Sequence, residues 1–163
     1  MLFSAMPQEP LPDDDRGSRV AIAGHPLHAM MVTFPIAFLM SVAATDVVWV
    51  LTQDDFWSRL SLWLVGAGAI SGAVAGLAGT IELLLIPGVR RRGVSWSHFV
   101  AAITLISVAF TNWFLRLAGP EELILPWGLM LSLLGAVLVG IAGWLGANLV
   151  FDHRIGIVED DGD

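Results

Sequence analysis

The sequence predicts an all-α integral membrane protein, folded as a four-helix up-down-up-down bundle. Of its 163 residues, 56% are hydrophobic and 14% are charged, and the mean hydropathy is +0.75. This composition is too apolar for a water-soluble domain of this length. Four long apolar runs are separated by short polar turns, so each helix is expected to run antiparallel to its neighbour along the chain.

The span boundaries follow from the residues that interrupt the apolar runs. Pro26 suits the first turn of a helix, and Pro35 is expected to kink the first span. Ser95 is expected to cap the third span. Each run is long enough to cross a bilayer at about 1.5 Å per residue. The sequence therefore predicts a transmembrane domain over 24–157, with spans at about 27–51, 57–86, 95–117 and 123–151.

The composition of the tails and of the whole chain excludes several classes of function. Residues 1–23 and 158–163 are acidic tails and are predicted to be disordered, and no cleavable signal peptide is predicted. All eight basic residues are Arg and form no basic stripe, which argues against nucleic-acid binding. The absence of Cys excludes disulfides, thiolate catalysis and Cys-bound metal clusters.

The distribution of arginine predicts the orientation in the membrane. Counting spans places both termini and the loop between the second and third spans on one side. That side carries six of the eight arginines: Arg16, Arg19, Arg90, Arg91, Arg92 and Arg154. The other side carries Arg59 and Arg116. By the positive-inside rule the six-arginine side is cytoplasmic, so the sequence predicts a multi-pass membrane protein with both termini in the cytoplasm.

The histidines fall at span ends on that same predicted cytoplasmic side. The four are His25, His28, His98 and His153. His28 and Asp46 are 18 residues apart, or five helical turns, and so share a face of the first span. His98 shares a face of the third span with Asn112 and Arg116. Because ionisable residues within a span normally face the bundle, His28 and His98 are expected to point inward.

Three interpretations of the histidine end stay open at this point. In the first, His28 and His98 lie on diagonal spans and bind the iron of a b-type haem as two axial ligands. In the second, a bare Zn, Fe or Cu ion or a relayed proton is held by His25, His28, Glu82 and His98. In the third, the protein is a membrane scaffold or subunit without a cofactor. The residues alone do not decide whether the protein is an enzyme.

Two further patterns concern the packing of the spans. At the opposite end, Asp46, Asn112 and Arg116 are expected to form a compensated structural cluster. Glycines recur along two of the spans, at Gly68, Gly72, Gly76 and Gly79 in the second and at Gly135, Gly140, Gly143 and Gly146 in the fourth. Small residues at such spacing indicate close helix packing, and the alternative is room for a flat cofactor.

Several short motifs carry a family resemblance. They are Gly24-His25-Pro26-Leu27-His28, Val32-Thr33-Phe34-Pro35, Glu82, Trp96-x-His98, the run from Gly143 to Phe151, and Gly156-Ile157-Val158. Over about residues 24–157 the chain resembles the bacterial membrane family called domain of unknown function 2231, with Ala29 where that family usually has a second Pro. Relatives of this type are fused to Rieske-like or cytochrome c-like domains, so the resemblance implies electron transfer. The expected partners are the lipid bilayer, a quinone or redox protein, and a second copy of the chain.

Overall fold

The computed structural model describes residues 21–22, 25–119 and 121–151, and nearly all of them are helical. The helices are α1 (Leu27–Met31), α2 (Thr33–Thr52), α3 (Asp55–Leu85), α4 (Pro87–Arg90), α5 (Gly93–Leu117), a π-helical turn (Ile124–Gly128) and α6 (Leu129–Phe151). Two antiparallel two-residue strands precede them, β1 (Ala21–Ile22) and β2 (His25–Pro26). The all-α fold class is confirmed. The two predicted tails lie outside the described residues, apart from Ala21–Ile22.

Four helical segments are long and apolar enough to cross a membrane. They are Leu27–Thr52, Asp55–Leu85, Gly93–Leu117 and Ile124–Phe151. Their outer surfaces are apolar, and large side chains such as Trp63 and Phe151 are 77% and 79% exposed. An apolar surface of this extent is stable against lipid and unfavourable in water. The predicted four-span membrane architecture is therefore confirmed.

The four long helices form a square bundle in chain order. Helix α2 packs against α3 and α6, and α5 packs against the same two helices, so α2 and α5 lie on a diagonal. At the centre, buried apolar side chains form one core cluster: Leu39, Val42, Val65, Ala69, Ala109 and Val139. A second cluster lies near the end of α3 and in α4: Leu83, Ile86 and Val89, with Phe99 packed against them. The diagonal arrangement brings the inner faces of α2 and α5 towards the same central space.

The first span is interrupted one turn before Pro35. Helix α1 ends at Met31 and α2 begins at Thr33, with Val32 between them. Proline lacks an N–H, and its ring crowds the carbonyl of the residue four positions earlier, here Met31. The backbone bonds from Val32 to His28 and from Ile36 to Val32 persist, so the two pieces form one continuous span.

The predicted cap at Ser95 is wrong. Helix α5 begins two residues earlier, at Gly93, with Arg92 at the N-cap position and no side-chain cap. Ser95 lies inside the first turn and is buried, and its hydroxyl has no hydrogen-bond partner among the described residues. At the turn between α2 and α3, by contrast, the Asp54 side chain accepts a hydrogen bond from the Phe56 N–H at 2.9 Å.

Candidate functional site

The bundle contains two polar centres, one towards each end of its long axis. The first is the histidine pair, His28 on α1 and His98 on α5. The second is the ion-pair network, formed by side chains from all four long helices: Asp46, Ser61, Asn112, Arg116 and Ser132. Each centre joins the diagonal spans that the sequence predicts to face one another.

The two imidazoles of the histidine pair are in contact. The centroids of the His28 and His98 rings are 6.1 Å apart, and the ring planes are inclined at 84°. Both side chains are half-buried. The structure therefore brings together the two histidines that the sequence places on the inner faces of the first and third spans.

Each imidazole is held by a backbone carbonyl of the next helix. The Nδ1–H of His28 donates to the Ala75 carbonyl at 2.8 Å, and that of His98 donates to the Ala142 carbonyl at 3.0 Å. A carbonyl oxygen only accepts, so the hydrogen must reside on Nδ1 in both rings. In the neutral rings this leaves the lone pair of each Nε2 for a ligand.

Two glycines provide the space for these rings. A Cβ atom added at Gly79 would lie 2.8 Å from Cε1 of His28, and one added at Gly146 would lie 3.3 Å from Cε1 of His98. Any larger residue at Gly79 would therefore displace the imidazole, and Gly146 leaves only slightly more room. Here the glycines of the second and fourth spans admit a side chain, in addition to letting helices approach.

Of the remaining predicted ligands, only Glu82 has a described side chain. Glu82 is half-buried on α3, three residues after Gly79. The side chain of His25 and all of His153 lie outside the described part of the chain. Among the side chains that are described, no three His or carboxylate groups come together as a metal site. The set of His25, His28, Glu82 and His98 therefore stays a prediction.

The ion-pair network is built on a two-pronged contact between Arg116 and Asp46. Nη1 of Arg116 donates to Oδ1 of Asp46 at 2.7 Å, and Nη2 donates to Oδ2 at 2.6 Å. Both side chains are 0% exposed. Parallel hydrogen bonds between a guanidinium and a carboxylate are the strongest ion-pair geometry in proteins, and here they join α2 to α5.

A serine lies on each side of this ion pair. Ser61 donates to Oδ1 of Asp46 at 2.5 Å and accepts from Nη1 of Arg116 at 2.6 Å. Ser132 donates to Oδ2 of Asp46 at 2.6 Å and accepts from Nη2 of Arg116 at 2.9 Å. Since Ser61 is on α3 and Ser132 on α6, the two hydroxyls connect the ion pair to the other diagonal of the bundle.

Asn112 completes the network. Its Oδ1 accepts from Nε of Arg116 at 2.8 Å, and its Nδ2 donates to Ser132 at 3.0 Å. All five N–H bonds of the Arg116 guanidinium thus have acceptors. A buried charge pair with no unsatisfied donor is stable in a low-dielectric interior, whereas one with a missing partner is not.

Sequence reasoning finds three members of the network and misses Ser61, Ser132 and the glycine that makes room for Arg116. A Cβ at Gly128 would lie 3.0 Å from Nη2 of Arg116 and 2.7 Å from the Leu123 carbonyl. A helical serine usually bonds to its own helix, and the Gly128 carbonyl lies 2.9 Å from the Ser132 hydroxyl, whose single hydrogen goes to Asp46 instead. Residue type alone therefore does not mark these positions.

A four-helix bundle with a lipid-facing apolar surface and buried polar centres defines an integral membrane protein. The family model described as "Predicted membrane protein (DUF2231)" matches residues 24–159, and the chain belongs to that family. The resemblance seen in the sequence motifs is therefore confirmed. No curated protein and no solved structure matches the chain.

Proposed function

We propose that this protein is a membrane redox protein in which His28 and His98 are the axial ligands of one b-type haem. The spacing of the two rings is the observation that carries the proposal. An imidazole nitrogen that holds a metal lies about 2 Å from it and roughly 1 Å from its own ring centre, so one metal held between two imidazoles would need ring centroids no more than about 6 Å apart. The centroids of His28 and His98 are 6.1 Å apart.

The hydrogen bonds of the pair support the same role. A metal-binding imidazole commonly donates its second N–H to a carbonyl, which fixes the tautomer and makes the ligating nitrogen more basic. His28 and His98 both make this bond, to Ala75 and Ala142. Haem bound there would supply one-electron transfer, with a quinone or a redox protein as the partner.

An absorption spectrum of the full chain purified in detergent micelles tests this proposal. We expect a Soret band in the parent protein, and its loss in His28→Ala and in His98→Ala, because each change removes an axial ligand. His153→Ala is the matched control and should keep the band. The bundle should insert normally in all of them, since insertion depends on the apolar spans. A parent protein without the band after haem supplementation would contradict the proposal.

Two further variants distinguish haem from the non-haem alternative. With haem bound, Glu82→Gln and His25→Ala should retain the absorption band, and Glu82→Gln should alter the midpoint potential or its dependence on pH. If a bare Zn, Fe or Cu ion is held instead, His25→Ala and Glu82→Ala should lower the bound metal measured by mass spectrometry. In that case the parent protein would show no haem band.

A membrane scaffold without a cofactor is the second candidate, and the ion-pair network favours it. A saturated network joining all four helices is what a purely structural protein needs in order to fix helix register. This candidate predicts a parent protein without haem or stoichiometric metal. It also predicts that His28→Ala and His98→Ala lose no more stability than one hydrogen bond contributes, about 1 kcal/mol, and keep partner binding.

We further propose that the histidine pair lies at the cytoplasmic face of a bacterial inner membrane, because six of the eight arginines are on that side. Alkaline phosphatase and green fluorescent protein fusions test the orientation. A fusion at Asp163 should fluoresce, and one at Gln53 should show phosphatase activity. The reverse pattern would place the histidine pair at the outer face.

A further inference from the structure

The polar residues of the first and third spans are related by a constant shift along the chain. His98 lies 70 positions after His28, and Arg116 lies 70 positions after Asp46. The same shift relates Val42 to Asn112, one turn before the ion pair. In each polar centre, the main residue of the first span thus has a counterpart in the third span, 70 positions later.

The second and fourth spans show a matching repeat. Gly68-Ala69 recurs as Gly135-Ala136, and Ala75-Gly76-x-x-Gly79 recurs as Ala142-Gly143-x-x-Gly146, each 67 positions later. Five residues are therefore identical in type over a stretch of twelve. Helices α3 and α6 therefore share a short motif, an alanine followed four residues later by a glycine, against which an imidazole packs.

The contacts repeat together with the sequence. In the first hairpin, His28 donates to the alanine carbonyl of this motif and its ring lies against the last glycine. In the second hairpin, His98 makes the same two contacts with the equivalent alanine and glycine. Two helical hairpins of one chain thus build the same histidine-binding unit, and the bundle places these units face to face.

The ion-pair network follows the same relation. The equivalent positions Asp46 and Arg116 meet each other, and each of the two flanking serines bonds to one carboxylate oxygen and one guanidinium nitrogen. The two serines depart from the repeat, because Ser61 lies 14 residues before Ala75 and Ser132 lies 10 before Ala142, a difference of about one turn. The residues that keep the shift of 70, His28 with His98 and Asp46 with Arg116, meet each other across the centre of the bundle.

A further departure from this symmetry has a simple cause. Leu39 packs on Gly68, where an added Cβ would lie 2.6 Å from Cδ2 of Leu39. The equivalent of Leu39 is Ala109, whose side chain is too short to reach Gly135, and Gly135 has no such neighbour within 4 Å. A cavity of about 10 Å³ lined by Ala109 and Gly135 lies there. The equivalence of the halves explains where this void is.

We infer that residues 27–85 and 93–151 are two copies of one helical hairpin, related by a twofold axis along the bundle, and that the histidine pair binds a single metal centre on this axis. Each half contributes one Nε2, and the two imidazoles are equivalent ligands. The identity of the metal centre as haem iron rests on the proposed function. The equivalence of the two imidazoles rests on the repeated contacts.

The first test measures ligand equivalence with haemin as the probe, added to the full chain in detergent. We expect one haem per chain, and we expect His28→Met and His98→Met to produce the same shift, or the same loss, of the absorption bands. A variant that keeps the parent's spectrum would overturn the inference while leaving haem binding intact.

The second test needs no ligand and separates the inference from the proposed function. The full chain is labelled with ¹⁵N-histidine, and the His28 and His98 signals are assigned by comparison with His28→Ala and His98→Ala. We expect both rings in the Nδ1–H tautomer with Nε2 unprotonated. If the parent binds no haem but both rings show this tautomer, the proposed function fails and the equivalence stands. One ring in the Nε2–H tautomer would overturn the inference.

Discussion

The two ends of the bundle use polar groups in opposite ways. In the ion-pair network, every N–H of Arg116 has an acceptor and both carboxylate oxygens of Asp46 accept two hydrogen bonds each. In the histidine pair, Nδ1 of each ring donates to a carbonyl of the neighbouring helix, and Nε2 has no hydrogen-bond partner among the described residues. A saturated centre has no capacity for a ligand, whereas an incompletely bonded one does. The fully bonded centre and the centre with bonding capacity left are therefore separated along the bundle axis.

The electrostatic demands differ as well. Asp46 and Arg116 are charged and fully buried, so each depends on the other to offset the loss of solvation. The imidazoles are half-buried and form no ion pair among the described residues, so either can be removed without leaving a buried counter-charge. Substitutions at the two ends should therefore differ in magnitude and in kind.

The largest effect is expected from Asp46→Asn. This change leaves the buried Arg116 charge without a counter-charge, and breaking a buried pair in this way costs about 3 to 5 kcal/mol. Unfolding by sodium dodecyl sulfate in mixed micelles, followed by circular dichroism, measures the loss. The double change Asp46→Leu with Arg116→Met is the control and should be milder, since it removes both charges. A double variant as unstable as Asp46→Asn would show that the ion pair is not the source of the effect.

A smaller loss is expected from Gly128→Ala. The new Cβ would meet the Leu123 carbonyl and Nη2 of Arg116, and overpacking of this kind costs about 1 to 3 kcal/mol. Gly140→Ala is the matched control on α6, because its Cβ would have no such neighbour within 4 Å. The same unfolding titration compares the two. Equal stability of both variants would contradict the tight fit of the guanidinium.

The smallest effect on stability is expected at the histidine pair. In the ligand-free protein, His28→Ala or His98→Ala removes one hydrogen bond to a carbonyl, worth about 1 kcal/mol. The same variants should lose the haem band entirely. A loss of stability as large as that of Asp46→Asn would show that both ends of the bundle are structural, and the contrast between them would fail.

The sequence predicts the fold class correctly because bilayer length and apolar composition constrain it strongly. Helical periodicity also places His28, His98, Asp46 and Arg116 on inward faces, since only spacing along one helix is needed for this step. The start of the third span is misjudged at Ser95 because a serine suits a cap, a first turn or a buried position about equally well.

The rest of the site depends on relations between helices. Which serine of an apolar span reaches a neighbouring ion pair is set by helix rotation and depth, and periodicity within one span specifies neither. The internal repeat is visible in the sequence only as shifts of 70 and 67 positions with few identical residues. The matching carbonyl and glycine contacts of His28 and His98 indicate that the repeat is structural, and these contacts are visible only in the folded chain.

The meeting of Asp46 with Arg116 shows what two hairpins in one chain can do that a symmetric dimer cannot. In a symmetric dimer of a single hairpin, a residue on the twofold axis faces its own copy, so an acid would face an acid and a base would face a base. Because both hairpins are encoded in one chain here, the equivalent positions can carry opposite charges, as Asp46 and Arg116 do. The equivalent histidine positions carry identical residues, His28 and His98. One chain thus combines an acid–base pair at one end of the bundle with a pair of like residues at the other.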